Sequence, residues 1–177
     1  MESKAQQFII FDKEARKQQL HSYQKTDHSG LKCGLDIIDK YIRLDKGQLT
    51  VMTGKSNVGK STFTTFYTYL MNKQNNFKTL FFAFEDSIQF YENELLKMYN
   101  DEDKMIDNNF FVETEKIKTI EDIETAIIEA NTVVTIDTLI IDPFSYIPRP
   151  DNYNSNVVGD MLIYLKRLAQ NIILSSY

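Results

Sequence analysis

Gly54-Lys55-Ser56-Asn57-Val58-Gly59-Lys60-Ser61 is the stretch on which the fold turns. It fits the pattern G-x-x-x-x-G-K-[ST] at every fixed position, the mark of a loop that wraps a phosphate chain. Before it, Gln48-Leu49-Thr50-Val51-Met52-Thr53 predicts a short buried strand; after it, Thr62 to Asn72 predicts a helix. Backbone N–H groups of such a loop point inward, and the helix N-terminus adds partial positive charge. Gly54, Lys55, Ser56, Asn57, Val58, Gly59, Lys60, Ser61 and Thr62 therefore form the candidate cradle for ATP. Lys60 would reach the β- and γ-phosphates, and the Ser61 hydroxyl would hold Mg²⁺.

Working outward, the chain alternates strand and helix patterns. Thr79-Leu80-Phe81-Phe82-Ala83-Phe84 and Thr138-Leu139-Ile140-Ile141 read as buried strands, and Phe110-Phe111-Val112 as a short one. Ile172-Ile173-Leu174 reads as the start of a last strand. Ile88, Tyr91, Leu95 and Met98 recur at helical spacing, as do Ile120, Ile123, Ile127 and Ala130, with Thr119 and Asp122 resembling a capping box. Val158, Met161, Leu162, Leu165 and Leu168 mark a further helix. Leu35, Ile37, Ile38 and Tyr41 suggest a short helix on the core. Phe63, Phe66, Tyr67 and Leu70 look like a base-stacking set, but their helical spacing assigns them to the core. This alternation predicts an α/β fold, a mostly parallel sheet with helices on both faces.

A phosphate loop needs an acidic partner at the end of another buried strand, placed to hold Mg²⁺ through water. Asp142, after Leu139-Ile140-Ile141, fits; Asp137 opens the same strand and belongs to the far end. The position after Asp142 is Pro143, which cannot orient an attacking water. Glu85, directly after Phe84, is the candidate catalytic carboxylate beside Lys60, since strand ends of a parallel sheet share one edge. Asp86 competes, although Asp86 with Ser87 suits a helix cap. A GTPase would need D-x-x-G and N-K-x-D downstream of the loop, and neither occurs there.

The 177 residues suffice for one domain with a real core, and 42% are hydrophobic. No apolar run is long enough to span a bilayer. The polar N-terminus lacks a secretory apolar stretch. Cys33 is the single cysteine, so no disulfide framework exists and an intracellular, reducing compartment is expected. The net charge of −5 divides unevenly, +4 over residues 1–60 and −9 over the rest. Global acidity thus argues only weakly against nucleic acid, because a channel needs only local positive charge. Lys4 to Gln24 predicts a polar helix with a thin apolar stripe (Phe8, Phe11, Leu20), and Lys25 to Gly30 a linker. The expected division is an N-terminal arm and linker, 1–30, and a core, 31–177.

From about Leu31 onward the chain resembles the RecA-type ring-helicase superfamily, in its Twinkle, phage primase-helicase and, more distantly, DnaB-like branches. Cys33-Gly34-Leu35-Asp36-Ile37-Ile38-Asp39-Lys40-Tyr41 resembles the family's lead-in T-G-[FL]-x-x-L-D-x-[YF]. Gly47 to Gly54 resembles G-E-L-T-[IV]-x-[TS]-G. Phe84-Glu85-Asp86-Ser87 stands where relatives carry S-P-E-N with the catalytic glutamate. Ile140-Ile141-Asp142-Pro143-Phe144 resembles the magnesium motif I-D-P-W, and Arg149-Pro150 and the helix from Val157 to Gln170 also have counterparts.

The resemblance implies a RecA-like P-loop ATPase that forms a hexameric ring and couples ATP hydrolysis to translocation on single-stranded DNA. It implies an N-terminal helix that docks on the next subunit, and offers Arg149 as a DNA-facing residue, a solvated Pro-Arg-Pro loop being the alternative. Ser175-Ser176-Tyr177 departs from the family's polar sensor. Further strands, DNA-binding loops and the arginine finger would lie past residue 177, so the sheet is expected to be incomplete at the C-terminus. The isolated chain is expected to bind nucleotide, hydrolyse slowly and not unwind DNA. Two rivals remain: a RecA-like ATPase without helicase activity, and a non-catalytic protein that joins or blocks a full-length ring.

Overall fold

Thr79-Leu80-Phe81-Phe82-Ala83 is buried at every residue and forms the central strand of a three-stranded parallel sheet. The structure is a computed structural model and describes residues 12–25, 30–149 and 155–174. In chain order the elements are α1 (Lys13–Lys25), α2 (Asp36–Asp39), α3 (Lys60–Asn75), β1 (Thr79–Ala83), α4 (Ile88–Tyr99) and α5 (Glu102–Asn108). There follow β2 (Asn109–Phe111), α6 (Glu121–Val133), β3 (Thr138–Asp142) and α7 (Ser155–Leu174). The sheet order is β2-β1-β3, with Thr79 opposite both Asn109 and Thr138, and Ala83 opposite Asp142.

Successive side chains of β1 point to opposite faces, and each face is covered by helices. Leu80 and Phe82 pack with Ile123 and Ile127 of α6 and with Met161, Leu165 and Leu168 of α7. Phe81 and Ala83 pack with Tyr91 and Leu95 of α4, Met105 of α5 and Tyr69 of α3. Tyr164 of α7 donates a hydrogen bond to Glu124 of α6, tying the helices of the first face together. Ser87 caps α4, its hydroxyl accepting from Phe90 N–H at 3.2 Å, and Asp101 caps α5 by accepting from Lys104 N–H at 3.1 Å. Asp122 accepts from the N–H groups of Lys118 and Thr119, both at 2.8 Å, which hold its carboxyl below the ordinary range.

A buried polar chain crosses one end of the sheet. Thr79 Oγ1 donates to Asn72 Oδ1 at 2.8 Å, Asn72 Nδ2 donates to Asn109 Oδ1 at 3.1 Å, and Asn109 Nδ2 donates to Met105 O at 2.8 Å. It joins α3, β1, β2 and α5 at the starts of the strands, and so sets how α3 lies on the sheet. A separate small cluster of Cys33, Tyr67 and Met71 packs the lead-in segment on the other side of α3. There Asp39 accepts from Cys33 N–H at 2.7 Å and Gly34 N–H at 3.0 Å. Burial raises its pKa, but these donors outweigh burial and hold the carboxyl below its ordinary value. Burial pushes the Cys33 thiol up, which suits an inert structural cysteine.

Three expectations change. Gln48–Thr53 is not a strand: it pairs with no neighbouring strand, Val51 is 56% and Met52 45% exposed, and only Leu49 reaches the core. A strand needs a neighbour for its backbone groups, and among the described residues the sheet stops at β3. Ile172–Leu174 is the last turn of α7 rather than a strand. Ile172 continues the spacing of Leu165 and Leu168, and no Gly or Pro intervenes to stop the helix. Of the four apolar lead-in residues expected to face the core, only Ile38 packs; Leu35, Ile37 and Tyr41 are exposed.

The chain separates into two units, 1–30 and 31–177. In the first, Asp12 caps α1 by accepting from Glu14 and Ala15 N–H, each at 3.0 Å, and Leu20 and Tyr23 are exposed. Phe8, Phe11 and linker residues 26–29 lie outside the described residues. Among the described residues no helix is long and apolar enough to cross a membrane.

Asn72→Ala leaves the Thr79 hydroxyl and the Asn109 amide buried without a partner. It should cost about 1–3 kcal/mol in denaturant unfolding. A loss under about 0.5 kcal/mol, the range of ordinary surface changes, would show that the polar chain contributes little.

Candidate nucleotide site

Gly54 to Gly59 is an exposed loop that delivers the chain into α3. Asp45 and Gln48 close the turn before it: Gln48 N–H donates to Asp45 O, and their side chains also bond, each at 3.2 Å. Two loop residues adopt left-handed backbone, Asn57 at φ 61° and Gly59 at φ 85°. Asn tolerates this conformation and Gly adopts it freely. Gly59 is the N-cap of α3, and no side chain caps that end. No acidic residue sits in the first turn either. The N–H groups of an uncapped first turn suit an anion.

Lys60 curls back over the loop, its ammonium donating to Lys55 O at 2.7 Å and Gly54 O at 3.2 Å. The cation is thereby aimed into the turn of the loop instead of out to solvent. Ser61 follows as the second residue of α3, its carbonyl accepting from Thr65 Oγ1 at 2.8 Å. Thr62 is exposed in the same turn.

Asp142 ends β3 in register with Ala83, and its carbonyl accepts from Phe84 N–H at 2.9 Å. Its carboxylate Oδ2 accepts from the Tyr91 hydroxyl of α4 at 2.8 Å. Of the two residues expected to hold Mg²⁺, Asp142 is the one bonded to this hydroxyl. Magnesium binds through few protein ligands and keeps waters and phosphate oxygens for the rest of its shell, so a hydroxyl and a carboxylate fit it. Among the described residues no three His, Cys, Asp or Glu side chains form a self-contained metal cage.

Glu85 lies two residues past the end of β1, exposed, at the sheet edge that carries Asp142. No hydrogen bond joins it to Lys60, Ser61 or Asp142, so it shares the edge with Asp142 without bonding to any of them. Ser87, not Asp86, caps the following helix; the charge of Asp86 reaches the Tyr91 hydroxyl instead. Asp137 is at the opposite end of β3, accepting from Lys78 N–H at 3.0 Å. Arg149 is half-buried, its guanidinium over the Phe144 ring at 5.9 Å, rather than a solvated loop residue. Phe63 and Leu70 pack around buried Tyr67, as core residues do. A groove of about 460 Å³ between β2 and α6 holds none of these residues.

Sequence reading missed Tyr91 as a site residue because its spacing matches a core face. The signal was a hydroxyl on that face: a buried phenol needs a hydrogen-bond partner, where Phe would not. No protein-family model matches the chain, and no curated protein matches it.

Gly59→Ala meets no atom within 4 Å, so its cost is conformational alone. A side chain in left-handed backbone costs about 1–2 kcal/mol, which lowers Tm by about 2–4 °C per kcal/mol. Gly159→Ala, also uncrowded but inside α7, should instead raise Tm, since Ala is favoured over Gly in a helix by about 1 kcal/mol. Equal shifts of one sign in thermal melts would contradict the backbone assigned to the loop.

Proposed function

We propose that this chain is a RecA-like P-loop ATPase core that binds ATP with Mg²⁺ and belongs to a replicative, ring-forming DNA helicase. The observation that carries the nucleotide part is the full phosphate-loop motif leading into an uncapped helix, with Lys60 folded into the loop. Ser61 in the first turn of α3 and Asp142 at the end of β3 support a magnesium site beside it. Bound Mg²⁺ would offset negative charge on the phosphates. Lys60 would exchange its carbonyl partners for phosphate oxygens, the α3 N–H groups would hold the same chain, and Ser61 and Asp142 would flank the metal.

Glu85 is the proposed orienter of the attacking water, on the strength of its place at the sheet edge. The helicase part rests on the ordered motifs from Cys33 to Arg149. It entails a hexamer around single-stranded DNA, in an intracellular setting. The exposed Leu20 and Tyr23 of α1 suit a helix that packs on a neighbouring subunit. A second reading, a non-catalytic chain that joins or blocks a full-length ring, is favoured by the exposed, unpaired segment at Val51 and Met52.

Lys60→Ala should weaken ATP binding about 10- to 100-fold, the loss of a charge-assisted hydrogen bond of about 1.5–3 kcal/mol. Unchanged affinity by calorimetry would move the nucleotide elsewhere. Glu85→Gln should retain ATP binding and lower hydrolysis stimulated by forked DNA. Normal turnover in that variant would transfer the role to Asp86, and hydrolysis indifferent to DNA would favour the non-helicase ATPase.

A further inference from the structure

We infer that Tyr91 is a positioning residue for the magnesium site: its buried hydroxyl, bonded to Asp142, orients the metal-facing carboxylate. This rests on the nucleotide reading above and deepens it.

Tyr91 sits in the first turn of α4 and is 2% exposed, so its hydroxyl cannot turn to water for a partner. The ring is fixed by Phe81, at 5.9 Å between centroids, and by Phe90, edge-on at 5.6 Å. What remains for the hydroxyl is the end of β3. It donates to Asp142 Oδ2 at 2.8 Å. A phenol gives one proton, so the other carboxylate oxygen, Oδ1, stays available to accept from a water on the metal. A neutral donor fixes the carboxylate without cancelling its charge. A Lys or Arg in its place would compete with the cation.

Outer partners of metal-facing groups act in this way, and their removal typically costs about 10- to 100-fold in metal affinity.

The test uses the full chain and Tyr91→Phe, which keeps the ring and removes the hydroxyl. ATP affinity is measured in EDTA and across a Mg²⁺ titration, and Mn²⁺ binding in the presence of ATP is followed by electron paramagnetic resonance. The expected result is unchanged affinity in EDTA and a midpoint for Mg²⁺ and Mn²⁺ raised about tenfold or more. In an Asp142→Asn background the same substitution should add nothing. Equal metal dependence of wild type and Tyr91→Phe, or full additivity with Asp142→Asn, overturns the positioning role and leaves the nucleotide reading standing. A wild-type chain that binds no ATP overturns both. Should Tyr91→Phe fail to fold, 3-fluorotyrosine at position 91 supplies a second readout. Its fluorine resonance should move when Mg²⁺ is added to the ATP-bound chain, and an unmoved resonance counts against the proposal.

Discussion

The burial of β1 on both faces and both edges is the constraint from which the rest follows. A strand so placed has no access to water, so every backbone donor and acceptor must find a neighbouring strand. β2 and β3 meet that need in parallel, and the pairing continues past the strand ends through Phe84 N–H to Asp142 O and Val112 N–H to Phe81 O. Parallel pairing leaves no freedom in direction. The C-terminal ends of β1 and β3 fall at one edge, and with them Glu85 and Asp142.

The two ends of the sheet do different work. At the start of the strands the polar groups are neutral and saturated: Asn72, Thr79 and Asn109 hand hydrogen bonds from helix to strand to strand. That chain is an anchor for α3, whose other end carries the Gly54–Gly59 loop. At the strand ends the groups carry charge or leave donors open. Lys60, Asp142, Glu85, Asp86 and the first turn of α3 gather there. One helix thus couples a closed, stability-bearing end to an open one suited to chemistry. Loss of the anchor would let the α3 N-terminus drift relative to Asp142, because no backbone pairing joins them.

Much of this was legible in the residues. The apolar run of β1, the helical spacing of α4, α6 and α7, and the order of acidic residues at strand ends all depend on local pattern. Two segments misled for the same reason. Gln48–Thr53 has the composition of a buried strand, but strand character belongs to a pair and not to a segment, and no described strand lies beside it. Ile172–Leu174 also has strand composition, yet it follows a helical face without a break, and continuing a helix costs less than nucleating a turn and a strand. Cys33, Asp39 and Tyr67 show a subtler limit: their interactions bring together residues more than twenty positions apart around α3, which no window captures.

The sequence by itself determined the Gly54–Ser61 motif and the helix after it, the alternation of elements, and which carboxylates stand at strand ends. These are consequences of short-range sterics, periodicity and residue chemistry. Only the tertiary structure decided which strands pair, that the loop's leading segment stays outside the sheet, and that Tyr91 meets Asp142 across 51 positions of chain. The physical reason is that burial makes partners out of distant residues. A hydroxyl on an apolar helix face meets a distant carboxylate only when packing removes its water and brings a strand end within reach.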